Sequence, residues 1–389
     1  MRTVRSLQMV LPVVAAIWLA LLGAGPAQAD PVAKPAADAG VRSYWTPQRM
    51  RAAEPIEIPT ASGQPLAEAG VGGAGGAPSF LGATDPGAGP VAQAGAVATA
   101  DESEKRAQAS SSRDLVPNPS DAPFRAHGKI FFTVEGGSEP GDYLCSGTSV
   151  SSNNRSVVWT AGHCVYDDLG GGFVKNWVFI PAYENGEAPF GEWPAVELAT
   201  TEEWKRSGPF KYDLGAAIVA TNGAGQSLGE VVGARGIAFN QPRSNTYVAL
   251  GYPAMQPPLE FDGERMFRCT SPLLANDDPG GPGPRTMQID CDMNGGSSGG
   301  GWVVGETLLS VSSYKYVLAD DRLYGPYLSG VAEQLYGEVT GDPILCGGKE
   351  ATHVGTDAGE TITGTAGADV IVAMGGDDRI NGGGGKDLI

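Results

Sequence analysis

Between Phe124 and about residue 347, short apolar runs rich in β-branched and aromatic residues alternate with clusters of Gly, Pro, Asn and Asp. The runs are Lys129–Val134, Val157–Thr160, Trp177–Ile180, Ala216–Ala220, Tyr247–Gly251, Trp302–Val304 and Leu308–Ser312. No long segment repeats its apolar residues at the helical spacing. Short strands between turn residues predict an all-β sandwich or barrel. The block from 121 to 347 is long enough for two small barrels packed together.

The pattern changes on both sides of that block. At the start, Arg2 and Arg5 precede an apolar run from Met9 to Leu22, and Ala27-Gln28-Ala29 follows before Asp30. This predicts a secretory signal over residues 1–29. A retained membrane anchor is the alternative, but the run is short for a span. No later segment is apolar enough to cross a bilayer, so no stable membrane insertion is expected. Residues 30–120 are poor in large apolar side chains, and Val71–Ala100 is mostly Gly, Ala and Pro. Such a stretch predicts a disordered leader or propeptide. One island, Tyr44–Met50, stands out. Thr46-Pro47 has the form of a helix start, and Trp45 and Met50 offer either a docking face or a sticky patch.

At the other end the chain repeats with a period of nine. Gly355–Thr363, Gly364–Val372, Ala373–Asn381 and Gly382–Ile389 align without a gap. The eighth position is always isoleucine (Ile362, Ile371, Ile380, Ile389), and the sixth is acidic (Glu360, Asp369, Asp378, Asp387). This matches the nonapeptide pattern of calcium-binding parallel β-helices.

The net charge of −18 argues against nonspecific nucleic-acid binding. Export favours disulfides among the five cysteines. Cys145 and Cys164 frame a histidine segment, and Cys269 and Cys291 frame a Pro/Gly-rich loop, so we expect those two pairs. Cys346 is left over, either free or intermolecular.

Two motifs carry chemistry. One is Thr160-Ala161-Gly162-His163-Cys164, and the other is Gly295-Gly296-Ser297-Ser298-Gly299-Gly300. A serine hydroxyl needs an adjacent imidazole to become a useful nucleophile, and glycines let backbone N–H groups approach a developing oxyanion. Of the three histidines, His127 precedes a strand and His353 sits in the linker to the repeats, which leaves His163 as the base. Gly-x-Ser-Gly spacing selects Ser298 as the nucleophile, with the N–H groups of Gly296 and Ser298 as the oxyanion hole. A carboxylate must orient the imidazole. Asp213, just before an apolar run, is the leading candidate, and Asp167 and Asp168 are its rivals.

Taken together, residues 121–347 resemble a secreted trypsin-like serine endopeptidase of the chymotrypsin clan. Within that clan they most resemble the bacterial glutamyl-endopeptidase-like group. The resemblance rests on Gly128–Phe132, Cys145-Ser146-Gly147, Thr160–Cys164, Tyr212-Asp213-Leu214 and Asp292–Gly300, in the order His, Asp, Ser. It implies two packed six-stranded antiparallel barrels with the triad in the cleft between them, and peptide hydrolysis through an acyl-enzyme. It also implies a protein or peptide substrate and no catalytic cofactor. Glutamyl members carry a histidine in the strand lining the specificity pocket. The matching segment, Leu308–Tyr314, has Ser310, Ser312 and Ser313 instead. Asp292, six residues before Ser298, stands where trypsin-like enzymes hold an acid for Lys or Arg. We therefore expect Asp292, Ser310 and Ser312 to contact substrate. Arg113 and Arg125 are candidate processing points of a zymogen.

The tail, 348–389, resembles RTX-type repeats. That resemblance implies a short parallel β-roll binding calcium through Glu360, Asp369, Asp378 and Asp387. The expected whole is a monomeric, secreted or cell-surface serine endopeptidase with a calcium-binding tail. The alternatives are a calcium-dependent adhesive protein on an inactive protease scaffold, and an esterase using the same machinery.

Overall fold

The short apolar runs are strands, and six of them close on themselves. Strands β1 (His127–Val134), β2 (Gly141–Val150), β3 (Val157–Thr160), β4 (Lys175–Pro181), β5 (Trp193–Thr200) and β6 (Gly215–Val219) form an antiparallel barrel. The order is β2-β1-β4-β5-β6-β3, and β3 returns to β2. The structure is a computed structural model. It describes residues 38–56, 60–61, 77–86, 92–94, 112–136, 139–168, 170–256, 258, 260–316, 319–340, 345–346, 349–354, 359, 361–373 and 377–389. The expected signal sequence, Glu360 and the side chain of Cys346 lie outside the described residues.

The first barrel is filled by residues of the predicted runs. Ile130, Val158, Trp159, Trp177, Phe179 and Ala217 are fully buried. Close packing is written into the glycines of the barrel, because a Cβ on Gly147 would come within 2.7 Å of Ile130 Cδ1.

The second half closes into a barrel as well, through two sheets that share the bent segments 267–277 and 307–316. Strands β7 (Gly236–Phe239), β8 (Thr246–Gly251), β9 (Phe267–Pro272), β12 (Gly301–Val304) and β13 (Thr307–Val311) form one sheet. Strands β10 (Ala275–Asp277), β11 (Thr286–Asp290), β14 (Tyr314–Tyr316) and β15 (Ala319–Gly325) form another. A shared core of Tyr247, Phe261, Met287, Trp302 and Leu323 joins the two sheets. The Cys269–Cys291 disulfide also links them, from β9 to the end of β11. Both expected disulfides are present.

Two expectations are corrected. An 11-residue helix, Gly330–Thr340, exists where no helical periodicity was credited. Its buried residues Val331, Leu335 and Val339 do keep a four-residue spacing, but Gly330 and Gly337 weaken the local signal. The helix packs on the first barrel, where Tyr336 donates to the carbonyl of Ser151 at 2.6 Å.

The described parts of the leader are also not disordered. Thr46 caps the helix Pro47–Ala52, accepting from the Arg49 N–H at 3.2 Å, as its sequence predicts. Val41, Trp45 and Met50 are buried in the main core. The Trp45 ring lies 5.4 Å from that of Phe131. Downstream, Ser79–Leu81 pairs with β7 and Ser112–Leu115 with β9. Average composition missed these contacts because a few anchors do the burying. One buried tryptophan contributes about 3 kcal/mol.

The tail is a parallel roll. Thr361–Thr363 pairs with Arg379–Asn381, and His353–Val354 pairs with Ile371–Val372. Residues that share a register position are thus 18 apart, so two nonapeptides make one coil. Glycine is required where coils stack. A Cβ on Gly383 (φ +79°) would lie 1.9 Å from the Thr365 carbonyl oxygen, and one on Gly364 would lie 2.5 Å from that of Gly382. Ile371 is buried, whereas Ile380 and Ile389 are 36% and 62% exposed.

His127 is buried at the barrel edge. Arg235 Nε donates to its Nε2 at 2.9 Å, and Thr148 Oγ1 meets its Nδ1 at 3.0 Å. A guanidinium only donates, so the imidazole must be neutral, with its proton on Nδ1. Burial first, and then the Arg235 charge, hold its pKa well below the ordinary value. Unfolded chain therefore takes up a proton that the fold refuses once pH falls below about 6.5. Through this group, unfolding free energy should drop by up to about 1.4 kcal/mol per pH unit until the folded pKa is reached. Urea denaturation at several pH values between about 7.5 and about 5 should show that slope, and His127→Gln should lose it.

Candidate active site

His163 sits in a short 3-10 turn, Gly162–Cys164, directly after β3. The Cys145–Cys164 disulfide pins that turn to β2. Asp213 follows a second 3-10 turn, Phe210–Tyr212, and leads into β6, which pairs with β3. Pairing of the two strands therefore brings both loops to one end of the barrel. The chain around Asp213 is fixed by Thr200 and Thr201, whose hydroxyls donate to the carbonyls of Leu214 and Tyr212. Gly162 permits the approach, since a Cβ there would lie 3.0 Å from Asp213 Oδ1.

The Asp213 carboxylate is fully buried and accepts three hydrogen bonds. They come from the His163 N–H at 2.9 Å, His163 Nδ1 at 2.8 Å and Ser313 Oγ at 2.6 Å. The bond at Nδ1 places the ring proton there and leaves Nε2 as the basic lone pair. Asp213, and not Asp167 or Asp168, is thus the carboxylate that meets the ring. Asp168 is exposed, and partial desolvation of its carboxyl raises its pKa, with the Asp213 charge adding to the effect. Ser313 was not foreseen as a partner of Asp213. Its signal was position alone, at the entry to a strand in the same segment as Ser310 and Ser312.

The serine loop is held from several sides. Ser146 donates to the Gly296 carbonyl at 2.9 Å and accepts from the Tyr252 N–H at 2.9 Å. The Ser146 N–H donates to the Ser298 carbonyl at 2.7 Å, and Gly299 N–H donates to the Ser312 carbonyl at 2.8 Å. The two adjacent serines differ sharply. The Ser297 hydroxyl donates to the Asn294 carbonyl at 2.6 Å, whereas Ser298 Oγ is buried with no partner among the described residues. His163 Nε2 is likewise buried and unpartnered. The Ser298–His163 hydrogen bond is therefore not closed in this structure. The two segments still touch, because a Cβ on Gly299 would lie 1.9 Å from Thr160 Oγ1 and 2.9 Å from the Ala161 nitrogen.

The expected oxyanion donor Gly296 has φ +91°, and its N–H is engaged: it donates to the carbonyl of Ile56 in the leader at 3.2 Å. The expected substrate contacts have their polar atoms committed elsewhere. Asp292 pairs with Arg113, which also holds Glu260 at 2.7 Å. Ser310 is fully buried and donates to the Pro326 carbonyl at 2.7 Å. Ser312, also fully buried, accepts from Trp302 Nε1 at 3.1 Å. Beside Ser313 stands an unforeseen wall in which Tyr314 and Tyr316 both donate to Asp277 Oδ2. Burial first, then that carboxylate, push the Tyr314 phenol far above its usual range, so it stays a donor.

Cys145, His163 and Cys164 cluster closely, but the two sulfurs are bonded to each other and cannot act as thiolate ligands. The tail does offer a hard oxygen set. Asp369 Oδ2 accepts from the Thr365 N–H at 2.6 Å, and Asp387 Oδ1 accepts from the Asp369 N–H at 3.0 Å. Carboxylates beside the carbonyls of stacked glycine turns fit calcium, which takes six to eight oxygens. Asp378 lies on the same roll, immediately before the strand Arg379–Asn381.

Comparison with known proteins agrees with this geometry. The model of the RTX calcium-binding nonapeptide repeat matches residues 354–389 in four copies. Among solved structures, the thermostable serine protease AL20 from an extremophilic microorganism is 40% identical, with a TM-score of 0.51. The match covers 57% of this chain and 99% of that one. Protease Anisep from Arthrobacter nicotinovorans is 36% identical with a TM-score of 0.52, covering 59% of this chain and 100% of that one. A Glu endopeptidase in complex with MPD matches at 19% identity and a TM-score of 0.47, too distant to carry the glutamyl branch. No curated protein matches the sequence.

Gly299→Ala tests the contact between the two motifs. Its φ of +75° and the overlap with Thr160 and Ser146 should cost about 3 kcal/mol or more in urea denaturation.

Proposed function

Because the chain belongs to the serine proteases of chymotrypsin-like fold, we propose that it is a secreted endopeptidase that works through an acyl-enzyme on Ser298. The observation that carries this reading is the buried Asp213–His163 hydrogen bond, which leaves His163 Nε2 unpartnered, together with the unpartnered hydroxyl of Ser298. In the proposed cycle, His163 Nε2 takes the Ser298 proton as Oγ attacks the scissile carbonyl. The oxyanion is received by the N–H groups of Gly296 and Ser298, each worth about 3 kcal/mol. The imidazolium, stabilised by Asp213, then protonates the leaving amine. Water repeats the sequence to release the acid. Ser313 acts through Asp213, holding its carboxylate square to the ring.

The proposed organisation is a signal over 1–29, a propeptide within 30–120, the protease over 121–347 and the calcium-binding repeats over 348–389. The RTX tail binds calcium, and Asp369, Asp378 and Asp387 are the proposed ligands. Disulfides and RTX repeats both suit an extracellular protein. The adhesive alternative keeps the fold but predicts no turnover.

Ser298→Ala should abolish cleavage of denatured casein, a fall of at least about 10⁴-fold in kcat/KM, while calcium binding is kept. Asp213→Asn should cost about 10⁴-fold in kcat with substrate affinity little changed. Cleavage at wild-type rate by the Ser298→Ala chain would end the assignment. Chelation with EGTA should raise hydrogen exchange across residues 361–389 and leave the barrel strands protected. Equal loss in both regions would place the calcium elsewhere.

A further inference from the structure

A buried lysine is left unused by the proposed cycle. Lys129, on β1, is 1% exposed. Its ammonium pairs with Glu264 Oε1 at 3.2 Å and lies over the rings of Tyr183 and Phe131, 4.3 and 4.7 Å from their centroids. The Tyr183 hydroxyl meets both Glu264 carboxylate oxygens, at 2.9 and 3.0 Å. The Asn185 N–H donates to the Glu264 carbonyl at 2.9 Å. Lys129, Tyr183 and Asn185 belong to the first half, whereas Glu264 lies in the turn before β9. They therefore clamp that turn from outside its own half. The turn reaches the serine loop in two further steps. The Gly263 N–H donates to the Pro253 carbonyl at 2.9 Å, and a Cβ on Gly263 would lie 2.8 Å from Ala254 Cβ and 3.7 Å from Lys129 Nζ. The Ala254 N–H then donates to the Gly295 carbonyl at 2.7 Å. In a planar trans peptide the carbonyl and the next N–H point in opposite directions. Fixing the Gly295 carbonyl thus fixes the direction of the Gly296 N–H, the proposed oxyanion donor. Glycine on both sides of that peptide would otherwise leave it free to rotate.

We propose that Lys129, Glu264 and Tyr183 are positioning residues that aim the Gly296 N–H by holding the Gly295–Gly296 peptide through Ala254. The inference rests on the reading of that N–H as an oxyanion donor and adds what orients it. Asn294 and Met255 exchange two further bonds, at 2.5 and 3.2 Å. These tie the 253–255 segment to the serine loop, and the lysine clamp ties the same segment to the first barrel. A lysine is a costly way to fill a core position, since a buried ion pair is often matched by apolar residues of similar volume. Its directional bond to Glu264 is what an apolar residue would not provide. Burial lowers the Lys129 pKa to about 8, against the raising effect of Glu264 and Asp262. Burial first, then Glu264, push the Tyr183 phenol far up, so it stays a donor. The other charges around the clamp are Arg265, which pairs with Asp262 at 3.5 Å, and Arg51 of the leader, which acts on Tyr183. The ammonium is thus the group of this clamp that changes charge on mild alkalinisation. Below that pKa the ion pair is intact, and above it the clamp slackens.

The test is initial-rate cleavage of fluorescein-labelled denatured casein by wild type, Lys129→Met, Glu264→Gln and Ser298→Ala, from about pH 6 to about pH 10. Wild-type kcat should fall through an alkaline limb near pH 8. Glu264→Gln keeps the size of a partly exposed side chain and removes only its charge. Loss of that charge lowers the Lys129 pKa further, so the limb should move down by about one pH unit or more. Lys129→Met should lose the limb and hold kcat at least about tenfold below the wild-type plateau, with KM within about twofold, because an oxyanion donor is felt only in the transition state. If Lys129→Met does not fold, the position of the limb in Glu264→Gln decides alone. A flat wild-type profile, an unmoved limb in Glu264→Gln or wild-type kcat in Lys129→Met, with Ser298→Ala inactive, would overturn the clamp and leave the serine reading intact. Wild-type cleavage by Ser298→Ala, or none by wild type, would overturn both.

Discussion

A buried carboxylate organises this molecule. Asp213 has no solvent, and an isolated charge there would carry a severe desolvation cost. It is offset by donors from both halves. His163 supplies two from the loop after β3, and Ser313 supplies one from the segment before β14. The bond network therefore forms only where the two halves meet. The same bonds fix which ring nitrogen is basic. Fold and chemistry share one point of dependence, and the glycines around it, Gly162 and Gly215, exist to let backbone come close.

How much of this was legible in the sequence depended on distance along the chain. The His163 and Ser298 motifs, the two disulfides and the repeat period are local patterns, so they could be found without a fold. Asp213 required only a choice among nearby acids. The aromatic wall on Asp277 was invisible because four separate segments build it: Phe210, Asp277, Thr286 and the Tyr314–Tyr324 hairpin. The pairing of Asp292 with Arg113 was equally hidden, since 179 positions separate them. Both residues had been singled out, each for a different role. The leader was misjudged for another reason. Compositional averages describe a segment's ability to fold alone, whereas Val41, Trp45 and Met50 fold onto a surface that already exists.

The roll at the C-terminus adds a rule about numbers. Its neighbours in space are 18 residues apart, although its sequence period is nine. One coil consumes a pair of units, and alternate units lie in different sheets. Inserting one nonapeptide would move every later strand to the opposite sheet, and inserting two would return each to its own. Because every unit is glycine-rich in its first half, either insertion keeps glycine turn over glycine turn and exchanges only the individual neighbours, such as Gly383 over Thr365.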